Sequence, residues 1–293
     1  RGMSLAAALR AALAAGDPAV LVTVMEVRGS TPREAGAAML VTADGMAGTI
    51  GGGRLEFEAI ERARMMLEAG EDTAVMDVPL GPEIGQCCGG RVRLDLARAD
   101  DATLQALTRD DEARRAAQPT VLIFGAGHTG RALATALSLL PFSVRLVDSR
   151  PETLHGLPDT IAIVAAALPE AEVDAAPPGA AYVVMTHEHS LDFLIAGAAL
   201  ARGDAAYVGM IGSATKRERL RRDLEAAGRS SDIDRLTLPI GGAAVRDKRP
   251  EVIAALTAAE LATCLLSSQQ EIVIDRFAAA SARCNSAPVR STR

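Results

Sequence analysis

Gly125-Ala126-Gly127-His128-Thr129-Gly130 is the run whose residue types and spacing speak most directly of ligand chemistry in this 293-residue sequence. In such a Gly-x-Gly-x-x-Gly run the first glycine permits a tight turn. The second lets phosphates approach the backbone, and the third lets a helix and strand pack closely. A helix opening there presents N–H groups to an anion. Asp148 follows Gly130 by eighteen residues, where an acidic side chain can accept a hydrogen bond from a ribose hydroxyl. Its charge would repel a 2′-phosphate unless Arg150 intervened. The glycines can instead serve strand-to-helix packing alone, and His128 can either face a ligand or cap the helix start.

Cys87 and Cys88 lie between Gly85-Gln86 and Gly89-Gly90. Thiolate is the soft donor among side chains, so this pair is the candidate for contact with a soft metal or its terminal sulfur, Cys88 ahead of Cys87. The competing reading is a buried, inert thiol. Adjacent cysteines make a strained disulfide, and no spacing is Cys-x-x-Cys. Cys264 falls on an apolar helical position and is expected in the core, whereas Cys284 lies in the tail. His187 and His189, with Glu188 and Asp192, can make polar contacts to a ligand or hold zinc, though nothing nearby completes a metal set. Ser190 can simply cap the following helix. Arg33 and Lys216-Arg217 can pair with phosphate, or be solvated surface charge, which is the preferred reading for Arg217. Gly51-Gly52-Gly53 is either a second anion nest or the hinge of a hairpin.

These residues need elements to position them. Leu5 to Ala15 reads as a helix, and Ala19 to Val27 as a strand. Ala38 to Val41 and Met46 to Ile50 flank the hairpin signal Asp44-Gly45. A helix from Leu55 to Ala69 and strands at Thr73 to Val78 and Arg91 to Leu96 complete a small α+β domain, 3–98. Residues 99–118 are polar and read as a linker, in part helical. From 119 to 280 strands alternate with helices. Strands are expected at 120–124, 143–147, 161–164, 182–186 and 207–211, helices at 131–140, 191–202 and 216–227, and a last helix opened by Pro250 with apolar positions from Val252 to Leu266. That alternation implies parallel crossovers and a Rossmann-type doubly wound parallel sheet, so the chain is α/β overall. Residues 281–293 read as a polar tail.

Composition bounds the function. Hydrophobic residues make up 49% and charged residues 23%, which suits a globular core. The sequence has no Trp, two Tyr and five Phe, so bases find few stacking platforms. A net charge of −6 without a Lys/Arg block argues against a nucleic-acid partner. No stretch is read as reaching the ~18 apolar residues that span a bilayer, and no secretion signal is recognised, so no membrane partner and a cytoplasmic location with reduced thiols are expected.

Taken together, the motifs resemble the XdhC/CoxI family, the accessory proteins for xanthine dehydrogenase and related molybdenum hydroxylases. The first domain contributes Gly29-Ser30-Thr31-Pro32-Arg33, Gly48-Thr49-Ile50-Gly51-Gly52-Gly53-Arg54-Leu55-Glu56 and Cys88-Gly89-Gly90. The second contributes Phe124 to Gly130, Asp148-Ser149-Arg150, Thr186-His187-Glu188-His189-Ser190-Leu191-Asp192, Gly209-Met210-Ile211-Gly212-Ser213 and Leu238-Pro239-Ile240-Gly241. Ala214 departs from the pattern, standing where a basic residue is common. The resemblance implies a chaperone without a turnover reaction of its own. It would bind molybdenum cofactor (molybdopterin carrying molybdenum), protect it, support its sulfuration and deliver it to the large subunit of xanthine dehydrogenase. The further partners it implies are a cysteine desulfurase and a second copy of the chain, as a homodimer. The candidate cofactor contacts, read from their chemistry, are Cys87, Cys88, Gly125, Gly127, His128, Gly130, Asp148, Arg150, His187, His189, Arg33 and Lys216, with Cys88 the candidate against molybdenum. The glycine loop and Asp148 alone would suit an NAD-dependent dehydrogenase with His187 or His189 as acid or base, and a pure scaffold is the third reading.

Overall fold

The computed structural model describes residues 3–80, 90–242 and 247–284, with side chains through Ser267. The chain divides into two compact units, 1–116 and 117–293.

Unit 1 is built on an antiparallel sheet of order β3-β2-β1-β5-β4. Its strands are β1 (Ala19–Arg28), β2 (Ala38–Thr42), β3 (Met46–Gly48), β4 (Thr73–Leu80) and β5 (Gly90–Arg98). Alternation along β1 sends Val20, Val22 and Val24 to one face. There they meet Leu55, Ala59, Ala63 and Met66 of helix α2 (Gly53–Ala69). Each of the Val, Leu and Met side chains contributes roughly 1.5–3 kcal/mol by leaving water. Ala19 and Leu40, on the opposite face, pack with Leu9 and Ala12 of α1 (Leu5–Ala15) and Leu107 of α3 (Asp101–Ala116). The segment read as a linker thus contains a full helix, begun by Asp100, whose carboxylate accepts from the Thr103 N–H at 2.8 Å. Its polar sequence follows from burying Leu107 alone among its residues.

Unit 2 is a six-stranded sheet of order β11-β10-β9-β6-β7-β8. The strands are β6 (Thr120–Phe124), β7 (Ser143–Asp148), β8 (Ala162–Ala165), β9 (Ala181–Val184), β10 (Tyr207–Met210) and β11 (Leu236–Thr237). Every strand pair is parallel. The order is the doubly wound Rossmann arrangement, with its switch point between β6 and β9. Helices α4 (His128–Leu137) and α8 (Pro250–Cys284) bury Leu133, Leu137, Leu261 and Leu265 in one core. Helices α5 (Ala171–Asp174), α6 (His189–Arg202) and α7 (Ala214–Ala226) contribute Val173, Ile195, Leu200, Leu220 and Leu224 to the other.

Several expectations shift. Helix α4 starts at His128, so the end of the glycine motif is helical. Helix α6 starts at His189, which puts Ser190 inside the helix and Glu188 at the cap position. Strand β11 has two residues, too few for alternation to reveal. Helix α8 runs to Cys284, into the segment read as a tail. Its window Pro250–Ser267, with mean hydropathy 1.4 over 18 residues, is long and apolar enough to cross a membrane, against the expectation that no stretch would be. Ala254, Ala258, Leu261 and Leu265 of that window are buried in the core beside α4, and 28% of the window is buried in all.

Candidate functional site

In unit 2 the glycine loop leaves β6 and enters α4, and its three glycines meet different surroundings. Gly125 has φ 111, and a Cβ there would lie 2.4 Å from the Met185 carbonyl oxygen. A Cβ on Gly130 would lie 1.9 Å from the Gly125 carbonyl oxygen. Both positions exclude a side chain through close backbone packing. A Cβ on Gly127 would meet nothing within 4 Å. This glycine borders open space, and no side chain caps the helix it precedes.

Asp148 was read as free to take a ribose hydroxyl, but the structure commits it elsewhere. One carboxylate oxygen accepts from the Ala126 N–H at 2.6 Å and Arg150 Nη2 at 3.0 Å. The other accepts from the Arg150 N–H at 2.9 Å and Arg150 Nε at 3.0 Å. A carboxylate offers about four acceptor sites, so none is left over. Asp148 is 4% exposed. Burial alone would raise its pKa, but the Arg150 guanidinium and the Ala126 and Arg150 N–H groups outweigh that and hold it below the usual carboxylate range.

Beside the loop opens a cleft of about 460 Å³ lined by Gly127, His128, Arg131, Arg150, Glu152 and His155, among others. Arg131 is aimed by its Nη1, which donates to the Thr153 carbonyl oxygen at 2.6 Å. His128 and His155 are exposed at its rim. Two guanidiniums, two imidazoles and the uncapped start of α4 can hold an anionic phosphate here. Sequence reasoning missed Arg131 and His155. Arg131 stands one helical turn beyond His128, the spacing that puts both on one face.

At the carboxyl ends of β9 and β10 the His-x-His stretch does not gather a metal set. His187 and His189 are exposed, and His187 Nε2 lies 3.3 Å from Glu188. Asp192 turns inward and is fully buried. It accepts from the Thr186 N–H and hydroxyl, both at 2.8 Å, and from Lys216 Nζ. Lys216 also donates to the Ile211 carbonyl oxygen at 3.0 Å. Its ammonium therefore pins two loops together, and its side chain is 9% exposed. Among the described residues no group of His, Cys, Asp and Glu has metal-holding geometry.

In unit 1 three motif stretches converge. A Cβ on Gly51 would lie 2.6 Å from Pro32 Cγ, and one on Gly90 would lie 2.3 Å from the Ser30 carbonyl oxygen. Gly29 to Arg33 therefore packs against both the glycine run and Gly90, the first residue of β5. Cys87 and Cys88 themselves lie outside the described residues. The glycine run, with φ 127, 75 and 65, does form a nest, and the chain fills it. One Glu56 carboxylate oxygen accepts from the Thr49 hydroxyl at 2.6 Å and from the Ile50 and Gly52 N–H groups at 3.1 Å. Burial would raise the Glu56 pKa, but these donors outweigh it and lower it. Glu56 lies four residues beyond the cap residue Gly52, one more than a capping box uses, so no capping motif signalled this contact. Arg33 is exposed, on a separate cleft of about 440 Å³ that also includes Thr23, Thr49 and Arg114. Cys264, expected in the core, is exposed on α8, its thiol 3.5 Å from the Ala206 carbonyl oxygen. An apolar period marks a stripe wider than the buried line.

Two family models match the chain. One, described as the XdhC Rossmann domain, covers residues 121–261, and the other, described as the XdhC and CoxI family, covers 12–78. An uncharacterized Escherichia coli protein, YqeB, is 30% identical over 142 residues, which is 47% of this chain and 23% of that protein. The Escherichia coli molybdenum cofactor insertion chaperone PaoD is 37% identical over 94 residues, 31% of this chain and 30% of that protein. The matches thus span less than a third of either relative. A crystal structure described as a xanthine dehydrogenase from Bacillus halodurans superposes with TM-score 0.73 at 22% identity, over 90% of this chain and 96% of the other, and is a likeness of fold.

Proposed function

The chain belongs to the XdhC and CoxI family, and from that premise we propose that it is a chaperone for molybdenum cofactor. It binds the cofactor, protects it, supports its sulfuration with a cysteine desulfurase, and delivers it as a homodimer to the large subunit of xanthine dehydrogenase. The name of PaoD, a relative over part of the chain, supports the cofactor class. The observation that carries the reading is the convergence of Gly29–Arg33, Gly51–Gly53 and Gly90, which lies two residues beyond Cys88 in sequence.

The residues present fit one part of the cofactor well. Its phosphate matches the cation-lined cleft beside Gly127, where Arg131 and Arg150 would hold it. As a separate proposal within unit 1, Cys88 is the candidate soft donor to molybdenum, with Cys87 beside it in sequence. When bound, the cofactor supplies the metal and dithiolene on which the recipient enzyme depends. The chaperone's own residues bind, orient and exclude water. His187 and His189, exposed at the carboxyl edge of the sheet, are available for polar contacts to the pterin. Asp148 and Lys216 act from behind, holding loops in place.

The test is reconstitution. Under anaerobic conditions the protein loaded with molybdenum cofactor is expected to restore activity to apo xanthine dehydrogenase. Cys88→Ala is expected to weaken cofactor binding about tenfold, the ~1.4 kcal/mol of one good contact. No transfer from the loaded protein would sink the proposal, and unchanged affinity in the variant would remove Cys88 from the site.

A further inference from the structure

The cleft beside Gly127 bears on which group a ligand must present. In a dinucleotide site the acidic residue after the second strand takes both hydroxyls of a ribose, and selects against a phosphate there. Here that residue is Asp148, and it cannot do either. Its oxygens are filled by Ala126 and Arg150, it is 4% exposed, and it does not line the cleft. What lines the cleft instead is Arg150 itself, laid across the carboxylate with its Nη1 hydrogens uncommitted among the described residues. Arg131 stands beside it, with Nη1 on the Thr153 carbonyl and Nε and Nη2 uncommitted. His128 and His155 add imidazole N–H donors, and Glu152 is the carboxylate among the lining residues.

We propose that this cleft selects a terminal phosphomonoester over a vicinal diol, with Arg150 as the specificity-determining residue. Arg150 acts twice, by neutralising Asp148 and by offering its outer N–H groups to the phosphate. A phosphomonoester carries close to two negative charges at neutral pH and three acceptor oxygens, and planar guanidiniums match that geometry in a bidentate way. A diol would find Glu152 as a carboxylate acceptor in the cleft but would forgo the charge pairing with two guanidiniums that a phosphate gains. Asp148, its usual acceptor in a dinucleotide site, is already filled. The selectivity rests on the cleft alone. Identifying the phosphomonoester as that of molybdopterin rests on the chaperone reading.

NADP⁺ and NAD⁺ are suitable probes because they differ by one phosphomonoester on an otherwise identical molecule. In calorimetric titrations of the full chain in phosphate-free buffer, NADP⁺ is expected to bind at least tenfold more tightly than NAD⁺. Arg150→Met, which uncovers Asp148, is expected to erase or reverse that ratio. Should that variant not fold, Arg131→Met is expected to weaken NADP⁺ more than NAD⁺ and so to narrow the ratio. Equal affinities in the unmodified protein, or tighter NAD⁺, would overturn the proposal whether or not the protein carries molybdenum cofactor. Competition between NADP⁺ and molybdopterin would support the pterin as source of the phosphate. Simultaneous binding of both would overturn that assignment.

Discussion

Glu56 shows what a single carboxylate does in unit 1. Three donors converge on one of its oxygens, and three successive glycines at positive φ bend the backbone around it. The sign of the pH effect follows from the lowered pKa. Its contribution is fully present above the unfolded-state value of about 4 and is lost as pH falls through the folded-state value. Glu56→Gln is expected to cost about 1 kcal/mol near neutral pH, a modest value because the carboxylate is partly solvated. It should also flatten the fall in melting temperature between about pH 5 and 3. Melting curves across that range check this, and an unchanged slope would mean that the nest does not depend on the charge. Asp148 follows the same logic in unit 2, with Arg150 as its main partner. The sequence placed an acid at the end of β7 but could not tell which donors would fill it. Arg150 is two residues away, and the decision lies in a side-chain rotamer rather than in spacing.

The element that matters most in unit 2 is the β6-loop-α4 turn. Its glycines look alike in sequence and differ in space, which separates structure from binding by experiment. Gly130→Ala would drive a methyl into the Gly125 carbonyl, and a loss of roughly 2–3 kcal/mol or failure to fold is expected. Gly127→Ala meets no atom within 4 Å and sits at φ −70, so its melting temperature should be nearly unchanged. A methyl there would still intrude on whatever approaches the backbone, so anion binding should weaken severalfold in titration. Most elements were legible because strand alternation and helix stops are local signals. Helix α3 was half-hidden because it buries one leucine, and β11 because two residues carry no period. The inward turn of Asp192 toward Lys216 joins residues on separate helices, 24 apart in sequence, which no local pattern encodes.

For the molecule as a whole, the two units carry different chemistry. Unit 1 brings Gly29–Arg33, Gly51–Gly53 and Gly90 together, and unit 2 offers a cationic cleft on a Rossmann sheet. The aromatic-poor composition is met by aliphatic cores in which Tyr182 and Phe124 are the largest fully buried side chains among the described residues. The central claim is that this chain carries molybdenum cofactor. Its most direct test is to co-express the chain with the cofactor pathway, purify it without oxygen, and measure molybdenum and pterin per protein by mass spectrometry and absorbance. The account predicts near-stoichiometric molybdenum and pterin together in the unmodified protein. Protein free of both, purified from cells that contain the cofactor, would contradict it.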